Sequence, residues 1–205
     1  MTPSVLSVRL SDGSIIGQNQ MASIHPRTIE LKDGRGIVIR CAHEGDAAAL
    51  LQANKLSFVN GEGMILTAEE YTITEDEVKT WIKAHYDGPK DIMLLADFDG
   101  IIVGNIGFRI AKPRRCAHWG TFAMAVRPGW RSCGVGSALL TCLLEWAVST
   151  PEIEKVTLAV RADNHRAIAL YEKHGFVQSG CANEYLKMGD GTYIDDLTME
   201  MFVRS

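Results

Sequence analysis

The residues with the clearest chemical potential lie in the stretch VRPGWRSCGVGSALL, residues 126–140, between an apolar run and a helical stripe. Gly134 and Gly136 carry no Cβ, so an anion can approach the backbone N–H groups closely, and Arg131 adds positive charge. A loop of this kind at a strand-to-helix junction is either a tight turn or a cradle for the oxygens of a diphosphate. The residue types alone leave both interpretations open.

Two common nucleotide-binding motifs do not fit this loop. A Rossmann fingerprint requires a third glycine where Leu139 stands. A P-loop requires Gly-Lys followed by Ser or Thr, and this sequence is absent from the stretch. What remains is a shorter glycine-containing loop, from Arg131 to Gly136, that is followed at once by a helix.

A second segment, VRADNHRAIALYEKHGF at residues 160–176, helps to decide between the two interpretations of the loop. On its own it predicts an ordinary amphipathic helix that Asn164 caps. Together with the preceding loop it resembles the GNAT superfamily of acetyl-CoA-dependent N-acetyltransferases. The positions that match the superfamily's later motif are Asn164, Ala167, Leu170, Tyr171, Gly175 and Phe176. The segments RRCAHWGTFAMAV (114–126) and LKMGDGTYIDDLTMEM (186–201) further resemble the bacterial small-molecule branch.

The resemblance implies acetyl-CoA as co-substrate and assigns residues to it. Backbone groups of the strand before the loop are expected to pair with the pantetheine amides, and the loop amides to hold the diphosphate. Asn164 is expected either to hydrogen-bond the cofactor or only to begin its helix. The predicted cofactor-binding residues are Met124, Ala125, Val126, Arg131, Ser132, Cys133, Gly134, Val135, Gly136, Ser137, Asn164, Ala167 and Tyr171.

The resemblance also implies catalytic roles. Tyr171 resembles the superfamily's general acid, which protonates the leaving thiolate; a core tyrosine is the alternative. Many members place a glutamate base on the strand before the loop, but residues 118–126 contain no carboxylate. The candidate bases are therefore His118, Glu62 in the loop after the first helix, or a chain of water molecules.

The acceptor is expected to be a primary amine of a small molecule, such as an amino acid or a polyamine. Residues 62–77 contain six acids and no Lys or Arg, which favours a cationic amine if they border the site. Acids at 75–77 also suit a first helical turn. Acetylation of protein N-termini or lysines and a non-catalytic acyl-CoA sensor are the alternatives.

Composition restricts the class of protein. The chain has 205 residues, 46% of them apolar, and a formal net charge of −4, which disfavours nucleic acid as a partner. Its five cysteines include no Cys-x-x-Cys pair, so we expect reduced thiols and no metal site. The sequence shows neither a signal peptide nor an apolar run of membrane-spanning length, which predicts a cytoplasmic protein without a membrane partner.

These residues need a scaffold, and the order of predicted elements supplies one. Hydrophobic patterns predict strands at 36–41, 92–96, 101–110, 118–126, 156–160, 176–179 and 193–202, and helices at 46–58, 74–86, 135–149 and 164–174. This order indicates a mixed α/β (α+β) fold with helices on both faces of one sheet. The resemblance makes that sheet mostly antiparallel. Residues 1–34 are predicted to form an N-terminal β-hairpin extension to an acetyltransferase domain at 35–205, and a homodimer is plausible.

Overall fold

The computed structural model describes residues 22–58, 65–86, 88 and 90–204, together with two short strands nearer the N-terminus. This part of the chain contains ten β-strands and four α-helices. The strands are β1 Val8–Arg9, β2 Ile15–Ile16, β3 Arg27–Glu30, β4 Gly36–Cys41, β5 Ile92–Phe98, β6 Ile101–Ile110, β7 Trp119–Val126, β8 Lys155–Arg161, β9 Val177–Lys187 and β10 Tyr193–Phe202. The helices are α1 Ala47–Phe58, α2 Glu75–Ala84, α3 Val135–Val148 and α4 His165–Lys173.

Eight of these strands form one sheet in the order β3-β4-β5-β6-β7-β8-β10-β9. Every neighbouring pair is antiparallel except β7 and β8, which run parallel. A parallel pair needs a long crossover, and α3 provides it. The predicted mixed, mostly antiparallel fold is confirmed.

The parallel pair is short, and its shortness creates the main cleft. Only three residue pairs join β7 to β8, the last of them Thr121 with Thr157. Beyond Thr121 the strands have no paired residues, while β7 continues to Val126 and β8 to Arg161. The two strands therefore separate toward their carboxyl ends, and a gap opens in the middle of the sheet.

The two faces of the sheet carry separate cores. Ile92 and Leu94 of β5 belong to the larger core, which includes α3 residues such as Leu139. The intervening Met93 and Leu95 belong to a second core with α1 and α2. Strand residues alternate between faces, so helices on both sides explain why β5 is apolar from Ile92 to Ala96.

Three helix boundaries have the predicted chemistry. Thr74 and Glu77 form a reciprocal capping box at the start of α2. Asn164 caps α4, where its side-chain oxygen accepts from the Ala167 N–H at 3.3 Å. Gly175 follows α4 with a φ of +91°, a conformation that favours glycine.

Two strands differ from the sequence prediction. Arg27–Glu30 was not predicted, yet β3 pairs with β4 at the edge of the main sheet. The strand predicted at 176–179 continues to Lys187 as β9. Nearly all β9 side chains are exposed and the β9–β10 pairing contains two register shifts, so no alternation of apolar residues marks the strand.

The predicted N-terminal hairpin falls partly within the described residues. Val8 pairs with Ile16 and Arg9 with Ile15, in an antiparallel two-stranded sheet. The division of the chain at residue 34 stays a prediction, and β3 lies before that boundary while belonging to the main sheet.

Candidate functional site

A cavity of about 330 Å³ lies where β7 and β8 separate. The end of β7, the loop after it, α4 and the turn between β3 and β4 all contribute to its wall. Four of the described lining residues are cationic and none is Asp or Glu; the cations are Lys32, Arg131, Arg166 and Lys173. The whole chain has a net charge of −4, so this positive charge is a local feature that favours an anionic ligand.

The loop between β7 and α3 has the backbone conformation of an anion cradle. Ser132 and Gly134 both have positive φ, +62° and +117°. Alternation between right- and left-handed residues turns successive N–H groups toward one point, and such concave nests bind anions. Glycine at 134 makes the larger of these two departures possible.

The start of α3 adds further donors to this cradle. The first hydrogen bond of the helix runs from the Ala138 N–H to the Gly134 carbonyl, at 2.9 Å. The N–H groups of Val135, Gly136 and Ser137 precede it, in the first turn, where a helix leaves its donors without carbonyl partners. Together with the helix dipole they favour an anion at this position.

Gly136 lies in a closely packed position, and its φ angle is not one that favours glycine. A Cβ at this position would lie 3.2 Å from Leu170 Cδ2 and 3.5 Å from Met124 Cε. The contact with Leu170 of α4 is tighter than usual, so a side chain at 136 would require Leu170 to shift by a few tenths of an ångström, whereas the distance to Met124 of β7 is an ordinary contact. The absence of a side chain keeps the helix start at the cavity wall.

Arg131 joins the end of β7 to the loop. Its Nε donates to the Val126 carbonyl at 3.1 Å. Val126 therefore uses its carbonyl within the protein. Met124 is the better placed main-chain partner for a ligand in the gap, because the ladder with β6 uses the main-chain groups of Ala125 to pair with Asn105.

Tyr171 reaches the cavity from α4 and is 6% exposed. Its ring makes edge contacts with Phe122 and Phe176, at centroid distances of 5.7 and 6.0 Å. Burial raises the pKa of Tyr171 to about 12 because the ionised phenol would lose its hydration. The residue is thus a fixed, neutral hydroxyl donor at physiological pH.

His174, the residue after α4, fixes a side chain in the first turn of α3. His174 Nδ1 donates to the Leu170 carbonyl at 2.9 Å, so in the neutral ring Nε2 is the acceptor. Ser137 Oγ lies 3.2 Å from that Nε2 and donates to it. The contact holds the first turn of α3 against the end of α4, and sequence reasoning missed it.

Most of the predicted cofactor residues meet at this cavity. Those that line it are Met124, Ala125, Val126, Arg131, Ser132, Gly134, Gly136, Ser137, Asn164, Ala167 and Tyr171. Cys133 and Val135 do not: the Cys133 thiol donates to the Trp130 carbonyl at 3.0 Å, and Val135 is fully buried in the larger core. Only their backbone groups belong to the cradle.

His118, one of the two candidate bases, does not line the cavity. His118 is exposed at the opposite end of β7, where its carbonyl accepts from Glu154 and Lys155. Six residues of strand separate it from Met124, a distance of about 20 Å. The geometry therefore does not support His118 as a base. Glu62 lies outside the described residues and stays a prediction.

Several lining residues were missed from the sequence. Arg166, Ala169 and Lys173 follow helical spacing on α4, and this periodicity could have revealed them. Lys32 and Ser57 come from the β3–β4 turn and from α1, whose positions depend on tertiary structure. Local patterns give no signal for these two.

A polar network lies beside the cavity, on the α1 face of the sheet. Asn105 of β6 donates from Nδ2 to Asn54 Oδ1 of α1 at 2.8 Å, and both side chains are buried. Asn54 is also hydrogen-bonded to the half-buried Tyr71. Asn105 is paired with Ala125 on β7, so its network borders the cavity wall.

Comparison with known proteins agrees with this geometry. The sequence model of the Acetyltransferase (GNAT) family matches residues 62–176. This chain belongs to the GNAT family of acetyltransferases. It is therefore an enzyme, and the alternative of a non-catalytic sensor is set aside.

Individual acetyltransferases are similar to this chain in sequence or in structure over more than half of its length. An L-amino acid N-acetyltransferase of Escherichia coli is 30% identical over 56% of this chain and 70% of its own length. An N-alpha-acetyltransferase of Sulfurisphaera tokodaii is 27% identical over 80% of this chain and 95% of its own. A GNAT acetyltransferase structure from Streptococcus pneumoniae superposes with a TM-score of 0.76, at 28% identity, over 81% of this chain and 99% of that one.

A further GNAT structure supports the fold alone because its identity is low. It is a putative acetyltransferase from Salmonella typhimurium, solved with acetyl-CoA, and it is 18% identical. The TM-score is 0.73 over 82% of this chain and 95% of that one.

In the part of the chain that the structure describes, no helix has both the length and the apolar character to cross a membrane.

Proposed function

We propose that this enzyme transfers the acetyl group of acetyl-CoA to the primary amine of a small molecule, by direct attack of the amine on the thioester. The observation that carries the proposal is the cavity between β7 and β8, with its cationic lining, its loop of aligned N–H groups and the start of α3. Coenzyme A is a long molecule with phosphates at one end and a neutral arm at the other. The cavity has the matching distribution of charge.

The neutral arm belongs in the gap beside Met124 and Ala125. Where β7 and β8 stop pairing, main-chain groups of both strands lose their sheet partners. An amide-bearing ligand satisfies such groups at little cost, since they must be paired in any case. The diphosphate then lies against the loop from Arg131 to Gly136.

Tyr171 acts on the leaving sulfur. Attack forms a nitrogen–carbon bond and breaks the carbon–sulfur bond, and the electron pair of that bond passes to sulfur. A thiol loses its proton near pH 8.5, so a tyrosine with a pKa of about 12 is the weaker acid by roughly three units. Tyr171 therefore stabilises the developing thiolate as a hydrogen-bond donor, and the amine proton leaves to water.

The acceptor enters from the α1 face of β7. Thr121 and Ala123 share the face of Ala125 by strand alternation, and both are exposed. The network of Asn54, Asn105 and Tyr71 borders the same face. These neutral polar groups suit hydrogen bonding to an amino compound of modest size.

Four of the five described acids between residues 62 and 77 have partners within the protein, so their charge is not evidence for a cationic acceptor. Glu70 accepts from the Thr67 N–H, and Glu77 caps α2 through Thr74. Glu75 and Asp76 pair with Lys79. Since the first two relatives act, by name, on L-amino acids and on N-alpha amines, we favour an α-amine as the acceptor.

A direct assay tests the function. Amino acids, polyamines and short peptides are each offered with acetyl-CoA, and released thiol and acetylated product are measured. Turnover on free amino acids supports the proposal. The second candidate is acetylation of protein N-termini, which the archaeal relative and the exposed Thr121 and Ala123 favour. A higher kcat/KM for peptides than for the matching amino acids would select it.

We also propose that the enzyme forms a homodimer and works in the cytoplasm. Both faces of β9 are exposed at the edge of the sheet, which suits contact with a second copy. All five cysteines are unpaired, as in a reducing cytoplasm. Sedimentation tests the homodimer, and fractionation of cells tests the location.

A further inference from the structure

The turn between β3 and β4, residues 31–35, is docked against the phosphate cradle. The Lys32 N–H donates to the Cys133 carbonyl at 3.1 Å. The Arg35 guanidinium lies 3.6 Å from the centroid of the Trp130 ring. The turn is thus held to the loop at two points, one by a main-chain hydrogen bond and one by a cation–π contact.

The turn also has internal structure that fixes its position. Leu31 N–H donates to the Arg35 carbonyl at 2.8 Å, and Gly34 N–H donates to the Leu31 carbonyl at 3.0 Å. Gly34 has a φ of +83°, and Leu31 is buried in the larger core. The backbone that carries Lys32 is therefore fixed by hydrogen bonds and by burial.

The charge of Lys32 is available to a ligand. Its neighbour Asp33 pairs with Arg35 instead, at 2.6 Å. Lys32 forms no ion pair with any acid in the described ranges, and its side chain lines the cavity. It approaches from the β4 side, whereas Arg166 and Lys173 approach from α4.

We propose that Lys32 binds a phosphate group of coenzyme A, so that the β3–β4 turn forms the second wall of the phosphate site. The inference rests on the proposed use of acetyl-CoA at this cavity. An ammonium group offers three donors and a compact charge, and it binds phosphate without a fixed approach angle. The two phosphate-bearing parts of the ligand, the diphosphate and the 3′-phosphate, share this chemistry.

The test compares Lys32→Ala with Lys112→Ala, which removes an exposed lysine outside the cavity. Dissociation constants are measured by calorimetry for CoA and for 3′-dephospho-CoA. We expect Lys32→Ala to weaken CoA about threefold to tenfold, as for a partly exposed charge pair, and Lys112→Ala to leave it unchanged. Lys32→Glu should weaken it further. An equal loss with dephospho-CoA assigns Lys32 to the diphosphate, and no loss assigns it to the 3′-phosphate.

A donor without phosphates provides the decisive control. The kcat/KM for S-acetylpantetheine should be the same in Lys32→Ala and in the unchanged enzyme. Two results would overturn the inference while the proposed function stands. One is a loss of kcat/KM with S-acetylpantetheine in Lys32→Ala as large as the loss of CoA affinity, and the other is an unchanged CoA affinity in Lys32→Ala. If the unchanged enzyme binds no CoA, the proposed function fails and the inference fails with it.

Discussion

The cavity and the polar network beside it present different chemical groups to a ligand. On the donor side, main-chain N–H groups of the loop and α3 face the ligand together with cationic side chains. On the proposed acceptor side, beside the cavity, the neutral side chains of Asn54, Asn105 and Tyr71 form a hydrogen-bonded network. Backbone groups and charges suit one constant, anionic ligand, whereas side-chain networks can be changed singly. Under the proposed function, this difference predicts that donor use is fixed and that acceptor choice is adjustable.

The largest expected effect comes from Gly134→Val. A branched side chain at a φ of +117° is strained, so the loop must leave its anion-binding conformation. We expect CoA affinity to fall about 100-fold or more by calorimetry, the sum of strain and lost N–H contacts. Gly191→Val is the matched control, with a φ of +87° at the β9–β10 turn and no neighbour within 4 Å. Equal CoA binding by the two variants would contradict the cradle.

Tyr171→Phe should affect the chemical step. The ring contacts with Phe122 and Phe176 survive, but the hydroxyl donor to sulfur is lost. We expect kcat to fall about 10- to 100-fold, toward the lower end of the range for proton-donor loss, and CoA affinity to change little. Stopped-flow kinetics and calorimetry check the two quantities separately. An unchanged kcat when chemistry limits the rate would leave Tyr171 as a core residue only.

Tyr71→Phe tests the other side of the comparison. It removes one hydroxyl from the Asn54 network and keeps the ring. We expect the KM for the amine to rise about threefold to tenfold, the size of one hydrogen bond, with CoA affinity unchanged. A loss of CoA affinity instead would show that the two sides are not independent.

The smallest effect is expected in the pH profile. Burial raises the pKa of Tyr171 to about 12, so the tyrosine stays protonated and active well above neutral pH. The kcat/KM should therefore rise as the amine loses its proton, near pH 8 for the α-amine of a peptide and at higher pH for a free amino acid, and should not fall again below about pH 10. A falling limb between pH 8 and pH 10 in the unchanged enzyme, absent from Tyr171→Phe, would mean that the tyrosine ionises earlier.

The raised pKa of Tyr171 also makes the free energy of unfolding depend on pH. The folded protein keeps a phenol proton that the unfolded chain releases near pH 10, so this contribution is present below pH 10 and is lost as pH rises toward 12. Tyr171→Phe should lose less stability over that window, by about 2 to 3 kcal/mol. Alkaline unfolding of both proteins in urea measures the difference.

The donor side could be predicted from the sequence because its requirements are local. Gly134 suits a backbone conformation that favours glycine and Asn164 caps a helix, and both requirements leave their signal within a few residues. The acceptor wall could not be predicted, since Asn54 and Asn105 meet only after α1 packs on β6. His118 shows the converse case: histidine is a residue type that can act as a base, but strand geometry places it at the far end of β7, away from the cavity.

The three residue pairs between β7 and β8 have one more consequence. The sheet is two half-sheets, β3 to β7 and β8 to β9, and main-chain bonds join them only over those pairs. In the proposed complex, the amides of a pantetheine arm in the gap would pair with the strand edges, so the substrate would extend the hydrogen-bonded ladder beyond the three pairs that the chain forms. Bound donor should then merge the two halves into one cooperative unfolding unit, and each turnover, by releasing CoA, should return the sheet to its divided state.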